Sequence, residues 1–277
     1  MITAEGVSKK FGRKEVLHQL NLTLDRGVYG FLGPNGAGKT TFLRCMLGIY
    51  PLSGGRFLYN GAPISRKNDL TAQVGYLPQK FGVYGELRVC EALEYLASIR
   101  RLKLANPAEE IERVLRLVNL EQRVASRVRT LSGGMARRLG IAAALLGDPE
   151  ILLFDEPTAG LDPEERMRFK TIVEEVSPGK TVLLSTHILA DVDAICDKII
   201  ILNEGQILYD LPAAEVAELA EGKVYEVDSS DRGEMVVGIR EEGGKKWYRV
   251  LSAQPLAGGR PLEPTTEDGY LCAIKKL

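Results

Sequence analysis

The sequence predicts an α/β fold built around a buried parallel sheet. Two observations carry that prediction. "ILLF" and "TVLL" are short, uninterrupted apolar runs, the pattern of strands covered on both faces. Carboxylates follow the first and hydroxyls the second, and open parallel sheets keep their ligand sites at such strand ends. A third strand-like run, "GVYGFL", leads directly into glycine-rich "GPNGAGKTT" and then a helix-like "TTFLRCMLGIY".

The whole chain sets the bounds. At 277 residues, 45% hydrophobic and 26% charged, it has material for one sizeable core and a small tail. Its 36 Lys and Arg nearly cancel 37 Asp and Glu, which gives no electrostatic case for a nucleic-acid partner. Cys45, Cys90, Cys196 and Cys272 are widely spaced, with no CxxC pair, as expected of reduced thiols in a cytosolic protein. "MITAEGVSKKFGRKEV" has no apolar signal core, and no apolar run is long enough to span a bilayer. A chain soluble by itself is the expectation.

Taken in order, the first chemical element is Gly33 to Thr40, which satisfies G-x-x-x-x-G-K-[ST] between a strand and a helix. Glycines let the loop curl so that backbone N–H groups face phosphate oxygens, and the helix turns its positive end to the same anion. Lys39 then reaches the β- and γ-phosphates and the Thr40 hydroxyl ligates magnesium. Gln79 follows a short apolar run and a proline. Next, "ELRVCEALEYLASIRRLKL" places Val89, Leu93, Leu96 and Ile99 on one helical face. "NPAEEIERVLRLVNL" opens a second helix with an Asn106 cap, Pro107 and Glu109.

Ser132 of "LSGGM" can cap a helix running into "IAAALL". Gly133 and Gly134 leave its first N–H groups bare for an anion. After Ile151 to Phe154, Asp155 and Glu156 leave a buried strand side by side, an arrangement costly without a cation. Asp155 suits the metal and Glu156 suits polarising an attacking water. His187 ends the Thr181 to Leu184 strand; taken singly, such a histidine is more often a structural hydrogen-bonder. The tail offers a helix-like "PAAEVAELAEG", alternating "KVYEVDSS", and a hairpin around Gly243-Gly244.

In this order the motifs resemble those of the ATP-binding cassette (ABC) ATPases over about residues 1 to 215. The resemblance implies a P-loop NTPase core with an antiparallel β edge, a helical subdomain at about 80–147, and a small α+β accessory domain at 216–277. It implies ATP and Mg2+ as cofactors. Phe11 would stack on adenine, while Gly33, Pro34, Asn35, Gly36, Ala37, Gly38, Lys39, Thr40 and Thr41 cradle the phosphates. Thr40, Gln79 and Asp155 would serve the metal, Glu156 the general base, and His187 the γ-phosphate. Asp162 would speak across a dimer interface, and Ser132, Gly133 and Gly134 would meet the γ-phosphate held by a second subunit. Met135 stands where glutamine is commoner, and Ala159-Gly160 where many relatives have Ser-Ala.

The short helical insert lacks the long heptad repeats of chromosome-structuring relatives, and a single cassette is unlike most translation-factor relatives. The reading is therefore an ATPase subunit of a transporter. The expected partners are a second cassette, a homodimer being expected while pairing with a different cassette stays open, and a separate membrane permease at the cytoplasmic face of the membrane. "LSGGMARRLGIAAALLGDPEILLFDEPTAGLDP" and "EPTTEDGYLCAI" resemble ATPase subunits of bacterial exporters of drugs, antibiotics or lipids, although importer and exporter both stay open. The alternatives are a soluble non-transport ABC ATPase with a regulatory or nucleic-acid-linked role, and a P-loop GTPase or kinase. The second lacks an N-K-x-D element and has no use for "LSGG".

Overall fold

The computed structural model describes residues 1–64, 70, 72–193, 195–228 and 235–277. Three sheets organise them. The first is antiparallel and holds β1 (Ile2–Phe11), β2 (Lys14–Leu24), β4 (Gly54–Tyr59) and β5 (Ala62–Pro63) in the order β2-β1-β4-β5.

The second carries β3 (Gly27–Leu32), β6 (Val74–Leu77), β7 (Ile151–Asp155), β8 (Thr181–Thr186), β9 (Lys198–Asn203) and β10 (Gln206–Pro212), ordered β10-β9-β3-β8-β7-β6. Only β10 runs antiparallel to its neighbour. The two predicted apolar runs form β7 and β8, every residue of which is buried.

The pleat divides each of these strands between two cores. Tyr29, Phe31, Leu153 and Leu183 face the antiparallel sheet and α1 (Lys39–Met46). Val28, Leu32, Leu152, Phe154, Val182 and Leu184 face the remaining helices. These are α2 (Val89–Ile99), α3 (Pro107–Leu117), α4 (Gly133–Leu145) and α5 (Pro163–Val176). Asn106 caps α3 through the Glu109 N–H at 3.4 Å, as the sequence suggests. In α2 the buried residues are Val89, Ala92, Leu93 and Ala97; Ile99, expected on the inner face, is exposed.

The third sheet, ordered β12-β13-β11-β14, is formed by β11 (Val224–Val227), β12 (Met235–Glu242), β13 (Lys245–Leu251) and β14 (Arg260–Pro261). Gly243 and Gly244, both at positive φ, make the expected two-residue turn between β12 and β13. The last two residues of "KVYEVDSS" lie outside the described residues. "PAAEVAELAEG" winds as two short 3-10 turns instead of an α-helix. Val216 between them is fully buried in the larger core, beside Ala273 of α6 (Thr266–Lys275). "EPTTEDG" turns out to be a helix start: Thr265 caps α6, and buried Asp268 returns to the Thr265 N–H at 2.7 Å and to Arg249 Nε at 3.1 Å.

Candidate functional site

The parallel register places β8 between β3 and β7, so the glycine-rich loop, Asp155-Glu156 and Thr186-His187 all emerge at one edge of the sheet. Gln79 emerges there too, two residues beyond β6. Asn35, Gly36, Ala37, Gly38, Lys39, Thr40, Thr41, Gln79 and Glu156 line one groove of about 690 Å³. Its opposite wall, not foreseen from the sequence, is Lys14, Glu15, Val16 and His18 of β2 with Glu204-Gly205. Nothing in their spacing marks them: β2 meets the β9–β10 turn only in the fold, where the His18 N–H donates to the Gly205 carbonyl at 2.9 Å.

The loop's shape follows from crowding. A Cβ on Gly33 would lie 2.2 Å from the Leu202 carbonyl oxygen, and one on Gly38, at φ 113, 2.8 Å from a Leu17 methyl. Gly38 also begins α1 with no side-chain cap, which leaves the first helical N–H groups for an anion. Lys39 curls back, donating to the carbonyl of Gly33 at 2.6 Å and approaching that of Pro34 at 3.4 Å. Burial lowers its ammonium below the usual lysine range, against the opposing pull of Glu156.

The two carboxylates are almost completely buried, a placement that costs several kcal/mol unless each charge is compensated. Glu156 is held on both sides: Lys39 Nζ lies 3.4 Å from Oε1 and His187 Nδ1 2.8 Å from Oε2. Asp155 Oδ1 accepts from Thr40 at 2.9 Å and from Ser185 at 2.6 Å. Its Oδ2 is buried with no hydrogen-bond partner. That orphaned oxygen beside a threonine hydroxyl fits a divalent cation delivered with a nucleotide. Among the described residues no cluster of three His, Cys, Asp or Glu suits a metal held by protein alone.

Other predicted residues lie apart from the groove. Ser132 caps α4 as expected, accepting from the Met135 N–H at 3.2 Å. Asp162 caps α5 through the Glu165 N–H at 2.9 Å. Neither these nor Gly133 and Gly134 line the groove. Gly134 has a role inside the chain as well: a Cβ there would lie 2.9 Å from Glu165 Cδ, whereas one on Gly133 would meet nothing within 4 Å. Phe11 is not in the groove wall either; its ring stands edge-on to Tyr50 at 5.3 Å, with Lys9 Nζ 4.7 Å from its centre. Sequence reasoning noted the hydroxyls after Leu184 without giving Ser185 a role, and overlooked Arg137 and the buried Thr158–Asp191 hydrogen bond that ties the segment after Glu156 to the one after His187.

A phosphate-binding loop with an adjoining buried carboxylate pair at the end of a nearby strand is the site of a P-loop NTPase. The ABC transporter family model matches residues 17–159, and the chain belongs to that family as an ATP-binding, ATP-hydrolysing cassette. An uncharacterized ABC transporter ATP-binding protein of Synechocystis sp. is 41% identical over 244 residues, 87% of this chain and 66% of that one. Nod factor export ATP-binding protein I of Cupriavidus metallidurans is 36% identical over 242 residues, 86% of this chain and 76% of the relative. The solved structure of an ATP binding subunit of an ABC transporter superposes with a TM-score of 0.71 at 28% identity, covering 79% of this chain and 92% of that one.

Proposed function

We propose that this chain is the ATPase subunit of an exporter, paired with a second copy of itself and working through a separate integral membrane subunit at the cytoplasmic face. Export is supported by the relative whose name states Nod factor export. No helix among the described residues is long and apolar enough to cross a membrane, which is consistent with a separate membrane subunit. A second, mostly apolar cleft of about 1000 Å³, with Tyr50, Leu52, Phe81 and Leu96 on its walls, offers that subunit a footing. We assign residues 1–215 to the ATPase domain, with its helical part at about 80–147, and 216–277 to an accessory domain.

The reading rests chiefly on Glu156, a carboxylate buried at the end of β7 and hydrogen-bonded to His187. Gly33 to Thr41 wrap the phosphates, and Lys39 exchanges its carbonyl partners for phosphate oxygens. Thr40, Gln79 and Asp155 would hold Mg2+, which when bound neutralises charge on the phosphates. Glu156 takes the proton of the attacking water, and His187, through its contact with Glu156, senses whether the γ-phosphate is present. Phe11, paired across the β1–β2 turn with the groove residue Lys14, would reach adenine from beyond the groove wall. Ser132, Gly133 and Gly134 turn the naked start of α4 toward the γ-phosphate held by the other chain, and Asp162 lies at the same interface.

Glu156→Gln tests the assignment. The variant should bind ATP normally and lose roughly 10²-fold or more in turnover, the scale of a positioned base. Near-normal hydrolysis would refute it.

A further inference from the structure

One side chain joins the segments of the site that the chemistry needs to keep in register. Arg137 lies on α4, one turn beyond the Ser-Gly-Gly motif, and its guanidinium meets five backbone carbonyls. Nε donates to Pro157 at 2.8 Å, Nη1 to Pro78 at 2.9 Å and Gln79 at 3.1 Å, and Nη2 to Asp155 at 3.0 Å and Glu156 at 2.6 Å. A guanidinium carries five N–H donors, so a full set of acceptors is in place.

The acceptors are not scattered. Three are successive carbonyls of the turn that presents Asp155 and Glu156, and two belong to the loop that presents Gln79. That turn is also unusual in its backbone: Glu156 adopts φ 49, a left-handed conformation uncommon for a residue with a side chain. Such conformations persist where the surroundings over-determine them. Burial pushes the Arg137 guanidinium down to about 10, with Asp155 and Glu156 opposing that shift, so the group still carries its charge near neutral pH.

We propose that Arg137 is a positioning residue for hydrolysis, its guanidinium holding the Asp155–Pro157 turn and the Gln79 loop in one register with α4. The inference rests on the reading of Glu156 as the base and deepens it. Because α4 starts at the Ser-Gly-Gly turn, a shift of that helix when a second subunit docks reaches the Glu156 backbone through one rigid fork. Arg137 touches no substrate atom; it acts through the carboxylate.

The test compares Arg137→Lys and Arg137→Gln with the parent and with Glu156→Gln, in ATP turnover, KM, affinity for a fluorescent ATP analogue and thermal midpoint. Lysine keeps the charge but has only three donors, too few for five carbonyls. Both Arg137 variants should melt several degrees below the parent, because buried carbonyls lose their donors, yet stay folded and bind the analogue at the assay temperature, with turnover lowered by about 10²-fold, the scale of an ångström misplacement. Added to Glu156→Gln, Arg137→Lys should cost nothing further, since both changes act on one group. Near-parental turnover in the Arg137 variants beside an inactive Glu156→Gln overturns the positioning role and leaves the base assignment standing. Analogue affinity that falls in step with turnover, or an unfolded fraction at the assay temperature large enough to account for the lost turnover, overturns it in favour of a purely structural role, as does a multiplicative loss in the double variant. Normal turnover by Glu156→Gln overturns both readings.

Discussion

The adjacent glycines at the start of α4 separate an intrachain role from an interchain one. A methyl on Gly133 meets no atom within 4 Å of its own chain, and its φ is not among the positive values, so Gly133→Ala should fold without strain. Alanine's better helix propensity can add up to about 1 kcal/mol, an upper limit because the position is the first of the helix. A methyl on Gly134 would lie 2.9 Å from Glu165 Cδ and 3.0 Å from its Cγ. Glu165 must then move away from Arg138, whose buried Nε is 3.1 Å from its carboxylate. Overpacking of this kind costs roughly 1–3 kcal/mol. Gly134→Ala should therefore lower the melting temperature by several degrees at about 2–4 °C per kcal/mol, while Gly133→Ala holds or raises it. If the bare N–H groups meet a phosphate on a second chain, Gly133→Ala should nonetheless lose about 10²-fold in turnover, the scale for disturbing one preorganised donor. Thermal melting, analogue binding and phosphate release at saturating ATP read the three quantities. A Gly133→Ala chain that melts as expected and hydrolyses like the parent would refute the reasoning.

Two other outcomes follow. Lys39→Ala should weaken nucleotide binding by about 10- to 100-fold, measured by analogue titration, because a charge-assisted contact of roughly 1.5–3 kcal/mol acts on the bound phosphates. Asp268→Asn should destabilise the fold by roughly 3 kcal/mol, since it strips a buried partner from Arg249. Burial raises the Asp268 carboxyl pKa, but hydrogen bonds from Arg249 and Thr265 outweigh it and hold the group below the usual aspartate range. Its contribution is therefore complete above the unfolded value of about 4 and lost as pH falls through the lower folded value, so the parent-minus-variant difference in melting temperature should shrink in acid.

The legible parts of this molecule were those whose chemistry is contiguous. Gly33 to Thr41 form a loop that must hold its spacing, and β7 and β8 are buried on both faces, so both show in a linear reading. Gly243-Gly244 announced its turn because only positive φ closes a two-residue hairpin so tightly. What stayed hidden was tertiary. Gly134 reads as an anion contact, yet Glu165 of α5 also requires its bareness. Phe11 is expected to stack on adenine, yet within the chain Tyr50 and Lys9 engage its ring. The helical pattern of α2 extends to Ile99, although Ala92 and Ala97 fill the space against its neighbours. Arg137 looks like any helix-surface arginine, because its five acceptors come from two distant segments.

On the proposed function, one chain holds the phosphates and a second completes the site. Phosphate release per chain, followed across a dilution series with molar mass read by light scattering, tests it most directly. Activity per chain should rise with the dimer fraction and fall toward zero in the monomer. Full, concentration-independent activity in a preparation that is monomeric in the presence of ATP would contradict it.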